Sequence, residues 1–265
     1  MHLHSVGLTT DVALIATRGQ VIDRGAYLIT HTPDDPGYLR GNMLVLPAPL
    51  VPGQLPSMID RFTRELSPID PAIRHVTFAW DGITGDPGAP DELAAAGFTL
   101  ETTQVLTTTQ PAVAAPPAGI ALRPLAPDEL ARAAELAVAI RGDDGEPSDE
   151  AYRQFRYRRA VWQRELVAHR LAQFWGAFDG QTLVASLGLV QLGRLGRYQD
   201  VKTARSHRRR GIASALLSAA ARAMRSSGIE ELVIQTDLGN VAARVYQRAG
   251  FRPIEQIASA YRGQR

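Results

Sequence analysis

A strand that runs into a block of arginines and then opens a helix through glycine and alanine narrows what this chain can be more than any other feature. Residues 197–203 read as a strand ending in Val201, Lys202 and Thr203, and Ala204-Arg205-Ser206-His207-Arg208-Arg209-Arg210-Gly211-Ile212-Ala213-Ser214 follows. A helix over 212–226 then keeps Ile212, Leu216, Ala219, Ala220 and Ala223 on one face, and Gly228 stops it. Small residues at a helix entrance let a ligand approach the backbone, and the amide N–H groups of the first turn have no acceptor within the helix. The helix dipole adds about 0.3–1 kcal/mol per favourable charge, up to about 2 kcal/mol when partly buried, and arginines add charge-assisted hydrogen bonds. The segment reads as a cradle for a pyrophosphate.

The charge distribution points the same way. Residues 1–115 carry 6 arginines against 12 acidic residues, and residues 116–265 carry 23 basic against 15 acidic, so a net charge of +2 divides into −6 and +8. The basic half calls for an anionic ligand. Lys202 is the single lysine, and the guanidinium groups that supply the remaining charge suit forked phosphate contacts. Arginine-rich coding explains the scarcity of lysine but not the split between halves. Few aromatic residues interleave with the basic cluster and the first half is acidic, so nucleic acid is not an expected partner.

Other classes are excluded by what the chain lacks. Without cysteine there is no disulfide, thiolate metal site or cysteine nucleophile, and the six histidines lack ligand spacing, so no metal is expected. No apolar run approaches the roughly 20 residues that span a bilayer, and no export signal is legible at the start, so the expectation is a soluble, cytoplasmic protein without membrane partners.

A proline-bearing stretch, 108–119, suits neither helix nor strand and divides the chain into 1–115 and 116–265. In the first part, 26–30, 42–46, 75–80 and 100–106 read as strands. Residues 55–66 form a helix with Leu55, Met58, Ile59, Phe62 and Leu66 on one face, and a short helix begins at Asp91. In the second part, strands are expected at 120–123, 174–178, 182–190, 197–203, 231–236 and near 257–261, with helices at 128–140, 148–170, 212–226 and 241–249. This is a mixed α/β pattern. A short helix, then Ala96-Gly97-Phe98 and a strand, recurs as a short helix, Ala249-Gly250-Phe251 and a strand, which suggests an internal duplication.

The spacing Arg208-x-x-Gly211-x-Ala213 after a strand, Asn240 beyond the next strand, and Tyr246 four and five residues before Gly250 and Phe251 make the C-terminal part resemble the GCN5-related N-acetyltransferase (GNAT) superfamily. The resemblance implies a GNAT fold over 116–265 and, through the repeated Ala-Gly-Phe, a degenerate GNAT-like α/β domain over 1–115. Two departures stand out. Asn240 lies one residue nearer the tyrosine than is usual, and Ala204-Arg205 replaces the usual His-Pro. The first part has no such arginine-glycine motif, its helix being preceded by the proline-rich, uncharged residues 47–55, so it is not expected to bind coenzyme A.

By this resemblance the cosubstrate is acetyl-CoA. Arg208, Arg209, Arg210, Gly211, Ile212, Ala213 and Ser214 would hold its diphosphate, Val201, Lys202 and Thr203 would line its arm, and Asn240 would touch it. Tyr246 matches the tyrosine that protonates the departing thiolate, the plainer account being that it packs helix on sheet. Asp200 is the carboxylate nearest the cradle and the candidate base, although alternation turns it to the opposite sheet face from Val201 and Thr203 unless a bulge intervenes. A structural partner of Lys202 is the competing role for it. Acceptor recognition in the family comes from the first two helices and their junction, here the acidic residues 141–147. The implied activity is N-acetylation of a small-molecule primary amine by direct attack in a ternary complex. A protein α-amine or lysine acceptor, or a non-catalytic acyl-CoA-binding module, are the alternatives. Two copies in one chain imitate a dimer, so a monomer is expected.

Overall fold

The computed structural model describes residues 1–263, which divide into two compact units. The first comprises 1–105, 235–240 and the chain from Pro253 onward; the second comprises 106–234 and 241–252.

The first unit opens with helix α1 (Val6–Ala16), followed by β1 (Gln20–Asp23), β2 (Leu28–His31), β3 (Met43–Leu46), α2 (Leu55–Leu66), β4 (His75–Trp80), α3 (Pro90–Ala95) and β5 (Thr99–Thr108). The far end of the chain returns as β11 (Arg252–Gly263), and the strands lie in the order β1-β2-β3-β4-β11-β5. β3 and β4 are parallel, whereas β11 runs antiparallel to β4, from Ser259 opposite Ala79 to Gly263 opposite His75. The stripe read on α2 buries Leu55, Phe62 and Leu66 completely or nearly so. Phe62 meets Phe78 edge-on, and Phe78 stacks on Phe98 with centroids 5.7 Å apart. Each such side chain contributes about 1.5–3 kcal/mol by leaving water.

Neither α1 nor β1 was expected from the sequence. Gly7 and the β-branched Val6, Thr9, Thr10, Val12 and Ile15 weaken the local case for helix. The helix is held instead by distant carboxylates. Ser5 caps Leu8 N (3.1 Å), and Glu255, on β11, accepts from Val6 N (3.0 Å), Gly7 N (3.1 Å) and Ser5 Oγ (2.8 Å). Asp81 takes the amides of His4 and Ser5 at 2.8 and 2.9 Å.

The second unit contains β6 (Ile120–Pro124), α4 (Leu130–Asp143), α5 (Glu150–Ala168), β7 (Ala172–Asp179), β8 (Thr182–Leu192), β9 (Leu195–Thr203), α6 (Ile212–Ala223), the start of β10 (Glu231–Asp237) and α7 (Ala242–Arg248). Its strands follow the order β10-β9-β8-β7-β6. β6 to β9 pair antiparallel with their neighbours, and β10 joins β9 in parallel. This is the mixed sheet expected from the pattern. The apolar face of α6, with Ile212, Leu216, Leu217 and Ala220, packs into one core with Leu187, Leu189, Tyr198, Leu232, Ile234, Tyr246 and Phe251. Tyr198 Oη donates to Leu217 O at 2.7 Å, a polar pin inside that core.

Candidate active site

The site begins where two parallel strands part. β9 and β10 pair from Leu195 opposite Glu231 to Arg197 opposite Val233, where their register ends while β9 continues to Thr203. Along its other edge β9 stays on β8, but the register shifts between Gly188 opposite Gln199 and Ser186 opposite Lys202. One extra residue of β9 is accommodated there, and Asp200 takes a left-handed φ of 51°. This is the bulge that re-aims a strand beside a functional site.

A buried polar cluster fixes the bulge. Arg156 Nη1 donates to Asp200 Oδ1 at 2.8 Å, Gln163 Nε2 to Oδ2 at 2.9 Å, and Arg159 Nη2 approaches Oδ2 at 3.4 Å. All three donors come from α5 and are buried. Burial raises the Asp200 pKa, but Arg156, followed by Arg159 and Lys202, more than offsets this and holds the carboxyl well below the usual carboxylate range. Sequence offered Asp200 as the proton acceptor, and these contacts correct that reading: a carboxylate so stabilised as an anion takes no proton from an ammonium near neutral pH. Its role as a structural partner was the alternative. The α5 donors were missed, although Arg156, Arg159 and Gln163 recur at helical spacing and so mark one polar stripe.

Beyond Thr203 the chain turns into the cradle. Ala204 N donates to Val184 O at 2.8 Å, and residues 205–207 make one turn of 3-10 helix. Arg209 (φ 61°) and Gly211 (φ 80°) are both left-handed, and Gly211 caps α6. A Cβ on Gly211 would meet nothing within 4 Å, so the backbone angle demands glycine and open space lies before the helix. The first intrahelical bond runs from Ala215 N to Gly211 O (3.1 Å), leaving the amides of Ile212, Ala213 and Ser214 as donors without a helical acceptor.

The arginines divide their work. Arg208 forks onto Asp144 at 2.8 and 2.7 Å and gives its Nε to Thr203 O at 3.1 Å. The hydrogen bonding between Arg208 and Asp144 raises the Arg208 pKa and lowers that of Asp144. Arg205 donates to Asp143 O (2.7 Å), and His207 Nε2 lies 3.1 Å from Asp179. The loop is thus tied down by residues of the acidic junction. Arg209 and Arg210 are exposed and make no ion pair among the described residues, which leaves them as the cations available to a ligand.

The remaining sequence candidates lie on β9, on α7 and in the turn after β10. Val201 packs on the α6 core, and Lys202 and Thr203 are half-buried. Tyr246, on α7, is 6% exposed beside Phe251 and Arg197; burial raises its phenol to about 12, partly opposed by Arg197, so it is protonated at neutral pH and has a proton to give. Asn240 is exposed in the turn after β10, where its amide donates to Asp237 O (3.0 Å), and it belongs to the first unit.

Residues 137–251 match the acetyltransferase (GNAT) family model. They form a GNAT domain. Three solved structures share the fold. A functionally unknown conserved protein from Staphylococcus epidermidis has a TM-score of 0.71 at 12% identity, covering 93% of this chain and 95% of that one. A GCN5-related N-acetyltransferase from Kribbella flavida gives 0.66 at 16%, with 97% and 96% covered. A tandem GNAT protein from the clavulanic acid biosynthesis pathway gives 0.56 at 15%, with 84% and 75% covered. No curated protein matches.

The GNAT family carries out acyl-CoA-dependent acetyl transfer, and the cradle of the GNAT domain suits such a cosubstrate in its free amides, open glycine and unpaired Arg209 and Arg210. The equivalent junction of the first unit is built otherwise. β3 and β4 stay paired to Leu46 opposite Trp80, and Asp81 N extends the contact to Leu46 O at 2.8 Å. Before α2 the chain is uncharged, and Gly53 N is already taken by Glu92 at 2.7 Å.

Proposed function

We propose that this protein is an acetyl-CoA-dependent N-acetyltransferase acting on a primary amine of a small molecule, as a monomer in the cytoplasm. The observation that carries the reading is the parting of β9 from β10 at a bulge whose strand leads directly to the Gly211 cradle. The amides of Ile212 to Ser214, with Arg209 and Arg210, hold the diphosphate of acetyl-CoA. The freed edge of β9 at Val201 to Thr203 offers backbone groups to its arm, in the manner of an added strand. Acetyl-CoA supplies the thioester. The amine nitrogen bonds to the carbonyl carbon as the carbon–sulfur bond breaks, the thiolate takes the proton of Tyr246 Oη, the nitrogen releases its proton to water, and the Tyr246 phenolate regains one from water, so that one proton in all passes from nitrogen to sulfur. With Asp200 engaged by arginines, no carboxylate of β9 serves as base.

Incubation with acetyl-CoA and a library of primary amines, with thiol release followed continuously, tests this. Turnover with at least one small amine, lost in Tyr246→Phe, is the expected result. The engagement of Asp200 favours one other reading, a module that binds acyl-CoA without turnover. That reading predicts coenzyme A binding, no thiol release with any amine, and indifference to Tyr246→Phe.

A further inference from the structure

The α5 side of the β9 bulge holds more positive charge than anchoring Asp200 requires. One carboxylate, Asp200, is faced by Arg156 at 2.8 Å and Arg159 at 3.4 Å, and Lys202 stands two residues along the same strand. Val201 packs into the α6 core, so alternation turns Lys202 to the opposite, α5 face, where its cross-strand neighbour is the buried Ser186. Lys202 is half-buried and makes no ion pair among the described residues. Arg156 is 6% exposed, and its Nε is buried without a hydrogen-bond partner. The nearby acidic groups are engaged elsewhere, Asp144 by Arg208 (2.7 Å) and Glu146 by Arg141 (3.4 Å).

An acceptor that brought only an ammonium to this place would meet like charge. We propose that the acceptor carries a carboxylate as well as an amine, and that Lys202, backed by Arg156 and with Ser186 beside it, receives that carboxylate. The proposal rests on the acetyl-transfer reading above and names the class of amine: an amino acid or another amino-carboxylic acid. Lys202 is the reachable member of the cluster, and Asp200 offsets part of the charge while it pins the bulge. Burial lowers the Lys202 pKa, and Asp200 opposes that shift; an incoming carboxylate adds a second stabilising anion.

The test uses matched acceptors that differ only in the carboxylate: phenylalanine and phenethylamine, lysine and cadaverine, serine and ethanolamine. Calorimetric titration into the full-length protein saturated with coenzyme A requires no turnover. At least one acid is expected to bind roughly tenfold or more tighter than its amine, the size of a charge-assisted hydrogen bond. Lys202→Met should abolish that difference and Lys202→Arg restore most of it, with thermal melts confirming that each variant folds. Equal affinity within every pair, or a difference that survives Lys202→Met, overturns the proposal. Thiol release on the same pairs separates the two readings: turnover without preference for the acid sinks this proposal alone, whereas preferential binding of the acid without turnover sinks catalysis alone.

Discussion

At the residue scale, the buried Tyr246 and the half-buried Asp200 carry the sharpest expectations. Tyr246→Phe keeps the packing and removes one hydroxyl, so kcat is expected to fall roughly 100-fold or more with little change in the KM for acetyl-CoA, measured by steady-state thiol release. Its titration also makes a stability claim. The folded phenol ionises near 12 and an unfolded one near 10, so the folded state holds the extra proton and stability is lost as pH rises through that window. Melting temperatures measured from pH 9 to pH 12 should fall on this account, and less steeply in Tyr246→Phe, with 9 chosen as about one unit below the unfolded value. Asp200→Ala strands Arg156 and Arg159 without their shared anion and should cost about 3–5 kcal/mol in denaturant unfolding. Asp200 was visible in the sequence as a carboxylate near the cradle. Its true surroundings were not, because its partners lie about one long helix and two strands earlier, and no local pattern ties a strand residue to a helix stripe.

At the element scale, the junction of β9 and α6 was the most legible part of the chain, because its physics is local. A strand end, small residues at a helix entrance and an apolar helical stripe are all written in neighbouring residues; the structure forms the strand and the striped helix, ends that helix at Ala223 rather than 226, and interrupts the alternation with the bulge at Asp200. What the sequence could not rank was the arginines. Arg208 fits the motif, yet it holds the loop through Asp144, while Arg209 and Arg210 face solvent. Arg209→Glu with Arg210→Glu is therefore expected to weaken coenzyme A binding at least tenfold in calorimetry, and to reduce its salt dependence. Arg208→Ala breaks an exposed pair and should affect affinity less. Gly211→Ala places a side chain at φ 80° and in the open approach, so both stability, by about 1–2 kcal/mol, and affinity should drop.

At the scale of the whole molecule, the succession of strand and helix patterns pointed to the mixed α/β architecture that the structure has, and the α2 stripe located a core. Helix α1 escaped notice because the amides of Val6 and Gly7 and the hydroxyl of its cap, Ser5, are taken by Glu255 across 248 to 250 residues, and β11 gave no sign in its sequence of which sheet it would join. β4 has β11 as its antiparallel neighbour, so a chain cut after Arg252 should leave residues 1–105 without that strand and without Glu255. Limited proteolysis of the cut chain is expected to digest 1–105 while sparing 106–234. A ribosome delivers residues 1–105 first, yet their sheet stays unfinished until Pro253 and its followers emerge. The earliest-made half is therefore the last to close, and until then the exposed rim of β4 is the place where a nascent chain would meet a chaperone or a neighbour of its own kind.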